Sequence, residues 1–148
     1  MNHKKRRFEI PQFELKKPAV IGTEVKKQLR KYYTNCIKFW LEKNESFDIS
    51  GLDALMAATS IEKQVFDKYM DRLSDYDSLC DSITRVFKIL ITMKYLSRHL
   101  RNKGFQMETI LKLVNKDKNA IRKIDLLAKS KMEKPSDEGV AQASTLVQ

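Results

Sequence analysis

The residues best suited to chemistry are basic side chains in the second half of the chain. Lysine and arginine side chains neutralise the phosphates of nucleic acids or the carboxylates of acidic proteins. Because these residues fall on or between consecutive predicted helices, they could share one surface. The candidate binding residues are Lys88, Lys94, Arg98, Arg101, Lys103, Lys112, Lys116, Lys118, Arg122 and Lys123. A solvated basic face with no partner is the alternative interpretation.

The chain lacks the sequence patterns that support catalysis. It has no glycine-rich phosphate loop, no His–Glu metal motif and no serine in a nucleophile elbow. Asp71, Asp75 and Asp77 could suggest a calcium loop, but the glycine and terminal glutamate of such a loop are missing. Cys36, Cys80 and the two histidines fit no zinc spacing, so buried thiols are expected. We therefore predict a non-enzymatic protein without a cofactor or a metal.

The N-terminal segment carries two further candidate sites. One is a basic cluster of the kind read by nuclear import receptors or able to contact phosphates, formed by Lys4, Lys5, Arg6 and Arg7. The other is a set of large apolar side chains around a proline, formed by Phe8, Ile10, Phe13 and Leu15. An extended segment of this kind predicts docking into a groove, either of this protein or of a partner. The basic cluster predicts a nuclear location, with a cytoplasmic location as the alternative.

The elements that must position these side chains are helices. The chain has 148 residues, and no proline interrupts it between Ala19 and Lys134. No apolar run is long enough to span a bilayer, so no membrane contact is expected. We predict an all-α, single-domain bundle of about five to six helices over residues 22–132. Residues 1–21 are the predicted flexible arm, and residues 133–148 are the predicted disordered tail.

Capping residues and apolar periodicity predict the first two helices. Thr23 is the expected N-cap of a helix over residues 24–43, and Asp48 or Ser50 is the expected cap of a helix that runs to about residue 73. The core candidates recur every three or four residues. They are Val25, Leu29, Tyr32, Cys36 and Trp40 in the first helix, and Leu52, Leu55, Met56, Ile61, Val65, Phe66, Tyr69 and Leu73 in the second.

Four more helices follow in the sequence. The third begins at residues 74–75, and Thr92 is expected to break it. The fourth ends at Gly104, which is expected in the left-handed conformation that terminates helices. The last two cover residues 107–114 and 118–131. Their predicted core positions are Ile110, Leu111, Val114, Ile121, Ile124, Leu127 and Ala128.

The middle of the chain resembles a known family. The sequence Ile61-Glu62-x-x-Val65-Phe66, followed by Tyr76 and later by Leu96, Leu100 and Gly104, resembles the central domain of transcription elongation factor S-II (TFIIS). This resemblance implies a helical bundle that docks on RNA polymerase II or a similar multisubunit polymerase. The family usually has arginines after its tyrosine, where this chain has Leu79 and Asp81. This chain also lacks the cysteines of the family's zinc ribbon, so stimulation of transcript cleavage is not expected.

The charge distribution suggests where a partner binds. Residues 44–81 hold nine acidic against three basic side chains, whereas residues 94–134 hold twelve basic against four acidic ones. Such a separation favours an oriented contact with a charged partner. The leading hypothesis is a transcription-associated module that binds RNA polymerase or an elongation or chromatin complex through a basic helical face. Direct binding of DNA or RNA is one alternative. A helical adaptor, viral or regulatory, that docks through its N-terminal arm is the other. The oligomeric state is left open.

Overall fold

A computed structural model describes residues 11–133, and it is all-helical over that range. The described residues form six α-helices: α1 (Lys27–Lys43), α2 (Gly51–Tyr69), α3 (Leu73–Leu90), α4 (Lys94–Asn102), α5 (Met107–Val114) and α6 (Lys118–Glu133). A single 3-10 turn, Glu45–Phe47, joins the first two. The predicted fold class is thereby confirmed. Within the described range, no helix has the length and apolar character needed to cross a bilayer.

The start of α1 differs from the prediction. Thr23 does not cap a helix; its carbonyl accepts a hydrogen bond from the Leu73 N–H at 2.8 Å. The Val25 N–H donates to the Met70 carbonyl at 3.1 Å. These tertiary bonds hold residues 23–25 in a non-helical conformation against the turn between α2 and α3, so α1 begins only at Lys27. The prediction failed because the competing hydrogen-bond partners come from a segment distant in sequence.

Local capping signals elsewhere behave as expected. The Ser50 hydroxyl accepts a hydrogen bond from the Asp53 N–H at 3.2 Å, which confirms Ser50 as the N-cap of α2. Gly104 has φ +75° after the end of α4. The Phe105 N–H donates to the Leu100 carbonyl at 3.2 Å and the Gly104 N–H to the Arg101 carbonyl at 2.9 Å. This is the Schellman pattern, and it ends α4 where the glycine predicted.

The chain turns twice where the sequence suggested breaks. Helix α2 ends at Tyr69, earlier than the predicted residue 73, and α3 begins at Leu73. Helix α3 ends at Leu90, and a turn that includes Thr92 separates it from α4. The Thr92 hydroxyl donates to the Ile89 carbonyl at 2.9 Å, a local bond that satisfies one of the last carbonyls of α3.

The buried face of α2 matches the prediction only in its second half, where Ile61 and Val65 are buried as expected. Leu52, Leu55 and Met56 were expected in the core, but they are 68%, 39% and 62% exposed. The residues of α2 that are buried are Ala54, Ala58, Ile61, Glu62 and Val65. A helix can turn only one stripe inward, and the small alanines allow α2 to pack closely against its neighbours.

Helices α6 and α1 also depart from the predicted core. Leu127 of α6 was predicted to be buried, but it is 62% exposed, whereas Ile121 and Ala128 are buried as expected. In α1, Tyr32 is only half-buried, and its neighbour Tyr33 takes the fully buried position. The choice between adjacent tyrosines depends on how the helix is rotated, which periodicity alone leaves open.

A buried polar network joins α1, α2 and α3. The carboxylate of Glu62 is buried and accepts hydrogen bonds from Arg30 Nε at 2.8 Å and Nη2 at 2.9 Å. The Tyr76 hydroxyl also donates to Glu62, at 2.6 Å. The Arg30 guanidinium lies 3.6 Å from the centre of the Phe66 ring. Glu62 and Tyr76, both part of the family resemblance, are therefore in direct contact.

An aromatic cluster connects the 3-10 turn to α3 and to the loop after α4. The Phe47 ring centre lies 6.1 Å from that of Phe87 and 5.1 Å from that of Phe105, both edge-on. Phe47 and Phe87 are fully buried. Edge-to-face geometry of this kind is the favourable arrangement for aromatic pairs. The cluster therefore ties the first half of the bundle to its C-terminal half.

Candidate functional site

A cleft between α3 and α6 carries the densest group of the predicted basic residues. It has a volume of about 420 Å³. Arg85, Lys88 and Ile89 of α3 line one side, because spacings of three and four residues share one helix face. Lys118 and Arg122 of α6 line the other side by the same rule. Thr92 and Met93, between α3 and α4, complete the lining. We call this the basic cleft.

The electrostatic character of the basic cleft is strongly positive. Four cationic side chains line it, and none of the described residues that line it is acidic. Arg85 is paired with Asp81 one turn earlier in α3, at 3.4 Å. Because both side chains of that pair are largely exposed, the contact is screened and leaves most of the cleft's positive potential in place. The Lys88 ammonium lies 5.7 Å from the centre of the Trp40 ring, a contact that helps to orient it.

A second cleft adjoins the first across the Arg85–Lys88 ridge. It has a volume of about 520 Å³ and shares Arg85 and Lys88 with the basic cleft. Phe13, Tyr32 and Trp40 contribute aromatic surface to it. Cys36 also lines it, and burial raises the pKa of that thiol to about 11, so the thiol stays protonated at neutral pH. We call this the aromatic cleft.

One carboxylate of α6 contributes to the position of that helix. Asp125 Oδ1 accepts a hydrogen bond from the Leu96 N–H at 2.7 Å, in the first turn of α4. This N–H has no partner inside its own helix, so a side chain from α6 satisfies it. Asp125 therefore joins α6 to α4 and holds one wall of the basic cleft.

Replacing Asp125 with alanine should destabilise the protein by about 1 kcal/mol, the usual value of an N-cap. The bond is charge-assisted and partly buried, which places the effect at or above that value. Urea denaturation would measure the loss, and Asp71→Ala, which removes an exposed carboxylate in the turn between α2 and α3, is the control and should cost under about 0.5 kcal/mol. Equal losses for the two variants would mean that Asp125 does not hold the helices together.

The other predicted basic residues do not all share this cleft. The Arg98 guanidinium and the Lys129 ammonium lie 5.2 Å and 5.6 Å from the centre of the Tyr95 ring, on a different part of the α4–α6 pair. His99 lies near Lys103, and burial together with that charge lowers the pKa of His99. The remaining predicted binding residues are exposed and line neither cleft. They are Lys94, Arg101, Lys112, Lys116 and Lys123. The single basic face expected from sequence is therefore divided.

The structure adds Arg85 to the candidate site, a residue that the sequence reasoning left out. Arg85 and Lys88 lie one turn apart on α3 and flank the half-buried Ile89. The sequence predicts only Lys88 of this α3 face as a binding residue, because no local pattern pairs that face with α6. The pairing of the two helices needs the tertiary structure.

The predicted docking arm lies partly within the described residues. Phe13 packs edge-on against Tyr32 and Phe39, with ring centres 5.9 Å and 5.1 Å apart. Lys17 forms an ion pair with Asp77 at 2.9 Å. The groove that receives Phe13 thus belongs to this chain. Leu15 is 48% exposed. The candidates that lie outside the described residues are Lys4, Lys5, Arg6, Arg7, Phe8 and Ile10.

Two further sets of residues bear on chemistry. Cys36 and Cys80 are buried and unpaired with each other, as expected from their isolated positions. Among residues 11–133, no three histidine, cysteine or acidic side chains come close enough to hold a metal ion. In comparisons with known proteins, no family model, no curated protein and no solved structure matches this chain.

Proposed function

We propose that this chain is a non-enzymatic binding module of a transcription or chromatin assembly, and that it engages RNA polymerase or an elongation complex through the basic cleft. The observation that carries the proposal is the convergence of four cations from α3 and α6 on one cleft. A positive cleft raises the local concentration of an acidic partner and orients its approach. The resemblance to the elongation-factor domain and the Lys4–Arg7 cluster support the choice of partner and a nuclear location.

The proposal predicts that charge reversal in the cleft removes the partner. The full chain carrying Lys118→Glu and Arg122→Glu should recover little polymerase or elongation factor from nuclear extract, compared with the native chain. Both side chains are exposed, so the change should leave stability within about 0.5 kcal/mol. The variant Lys27→Glu with Lys31→Glu makes the same change in net charge on exposed positions of α1 and is the control. Failure of the native chain to capture polymerase subunits or elongation factors would contradict the proposal.

Direct binding of single-stranded DNA or RNA is a second candidate. The observation that favours it is the aromatic cleft, which shares Arg85 and Lys88 with the basic cleft. Proteins that bind single strands combine cations for the phosphates with aromatic surface for the bases. If four phosphates are neutralised, affinity for oligothymidylate should fall about fifty-fold between about 50 and 200 mM salt. Fluorescence anisotropy would measure this, and binding that does not change with salt would exclude it.

A further inference from the structure

The basic cleft combines charge with an apolar floor, which a simple phosphate site does not need. Ile89 and Met93 are half-buried, so part of each side chain faces the cleft. The aliphatic stems of Lys88, Lys118 and Arg122 extend this apolar surface below their charged ends. At about 420 Å³, the cleft lies within the range of about 300–1,000 Å³ that is typical of ligand pockets.

This combination distinguishes between classes of partner. A nucleic-acid backbone presents phosphates and sugars, and it has no apolar side chain to place against Ile89 and Met93. An acidic protein segment can present carboxylates to the cationic rim and one large apolar side chain to the floor. Methionine is flexible and polarizable, so it adapts to apolar side chains of different shape.

We propose that the basic cleft binds an acidic peptide segment that carries one bulky apolar side chain, with the apolar group on the Ile89–Met93 floor and carboxylates on Arg85, Lys88, Lys118 and Arg122. The inference rests on the proposed function and specifies the chemistry of the partner at the same site. The charges are complementary because four cations meet no carboxylate among the described lining residues. Burial of the apolar group supplies affinity, and the rim supplies orientation.

The experiment compares three fluorescent probes on the full chain. The first is a peptide of about twelve residues, all Asp and Glu except for one central Phe. The second has Ser in place of that Phe, and the third is an oligothymidylate of the same net charge. Replacing Phe with Ser should weaken binding by about tenfold, because the apolar contact is lost while the charge is unchanged. The oligothymidylate should bind more weakly than the Phe peptide.

Two variants assign the binding to the cleft. Lys118→Glu with Arg122→Glu should weaken the Phe peptide by about tenfold or more, and Lys27→Glu with Lys31→Glu should leave it nearly unchanged. Met93→Gln keeps the length of the side chain and removes its apolar character. It should reduce the preference for Phe over Ser, while an unchanged melting temperature shows that the variant is folded. The comparison of the two peptides on the native chain needs no variant.

The outcomes separate this inference from the proposed function. Equal affinity for the Phe and Ser peptides, or tighter binding of oligothymidylate than of the Phe peptide, would overturn the inference. Absence of measurable binding of the Phe peptide would overturn it as well. The proposed function would still stand in each case if charge reversal at Lys118 and Arg122 removed polymerase capture from nuclear extract. If charge reversal at Lys118 and Arg122 did not reduce polymerase capture, the proposed function would be overturned. The chemistry inferred for the basic cleft would still stand if the Phe peptide bound more tightly than the Ser peptide.

Discussion

Replacing Arg30 with methionine should destabilise the protein by about 3 kcal/mol, because it leaves the buried Glu62 carboxylate without its cation. Glu62 keeps only the Tyr76 hydroxyl as a donor among the hydrogen bonds described above. The variant also loses the stacking of the guanidinium on Phe66, at 3.6 Å. The Arg30 side chain is 31% exposed, which places the effect at the lower end of the range for breaking a buried ion pair.

A double-mutant cycle separates the buried charge from general loss of packing. Glu62→Gln removes the charge and keeps the shape of the side chain. The double variant Arg30→Met with Glu62→Gln should therefore be more stable than the sum of the single losses predicts, by about 1 kcal/mol or more. Lys63→Met, which breaks an exposed pair with Asp67 on the same helix, is the control and should cost under about 0.5 kcal/mol. Urea denaturation that shows equal losses for Arg30→Met and Lys63→Met would contradict the interpretation.

Replacing Phe47 with alanine should destabilise the protein by about 3–5 kcal/mol, since the ring is fully buried and its removal leaves a cavity. Removal of the Phe47 ring should also weaken the packing between the two halves of the bundle, because this ring contacts Phe87 and Phe105. Denaturant unfolding monitored by circular dichroism would measure the change. The matched control is Leu52→Ala, which shortens a side chain that is 68% exposed and should change stability by under about 0.5 kcal/mol.

The Leu52 control also tests the rotation of α2. If Leu52→Ala proved as costly as Phe47→Ala, the predicted stripe through Leu52, Leu55 and Met56 would be the buried one after all. The described arrangement instead buries Ala54 and Ala58. The sequence predicts Leu52, Leu55 and Met56 as core residues because they are apolar positions of a helical pattern. In this helix, close approach to α1 and α3 buries the two alanines instead.

The candidate site was only partly predictable. Lys88, Lys118 and Arg122 were identified as binding residues from their type and position, and the structure places all three on one cleft. Arg98 and Lys103 were assigned to the same face, but they lie near Tyr95 and His99 on another part of α4. Charged residues at helix surfaces have no apolar partner to reveal their orientation. Their grouping therefore follows from the packing of the apolar faces beneath them.

The sequence by itself determined the helical class, most helix ends and the basic character of the C-terminal half. Those features depend on local chemistry: the proline-free run, the Ser50 cap, the left-handed Gly104 and apolar periodicity act within a few residues. Only the tertiary structure decided which stripe of α2 is buried, where α1 begins, and that Arg85 shares a cleft with Arg122. These features depend on contacts between segments far apart in the chain, which no local pattern encodes.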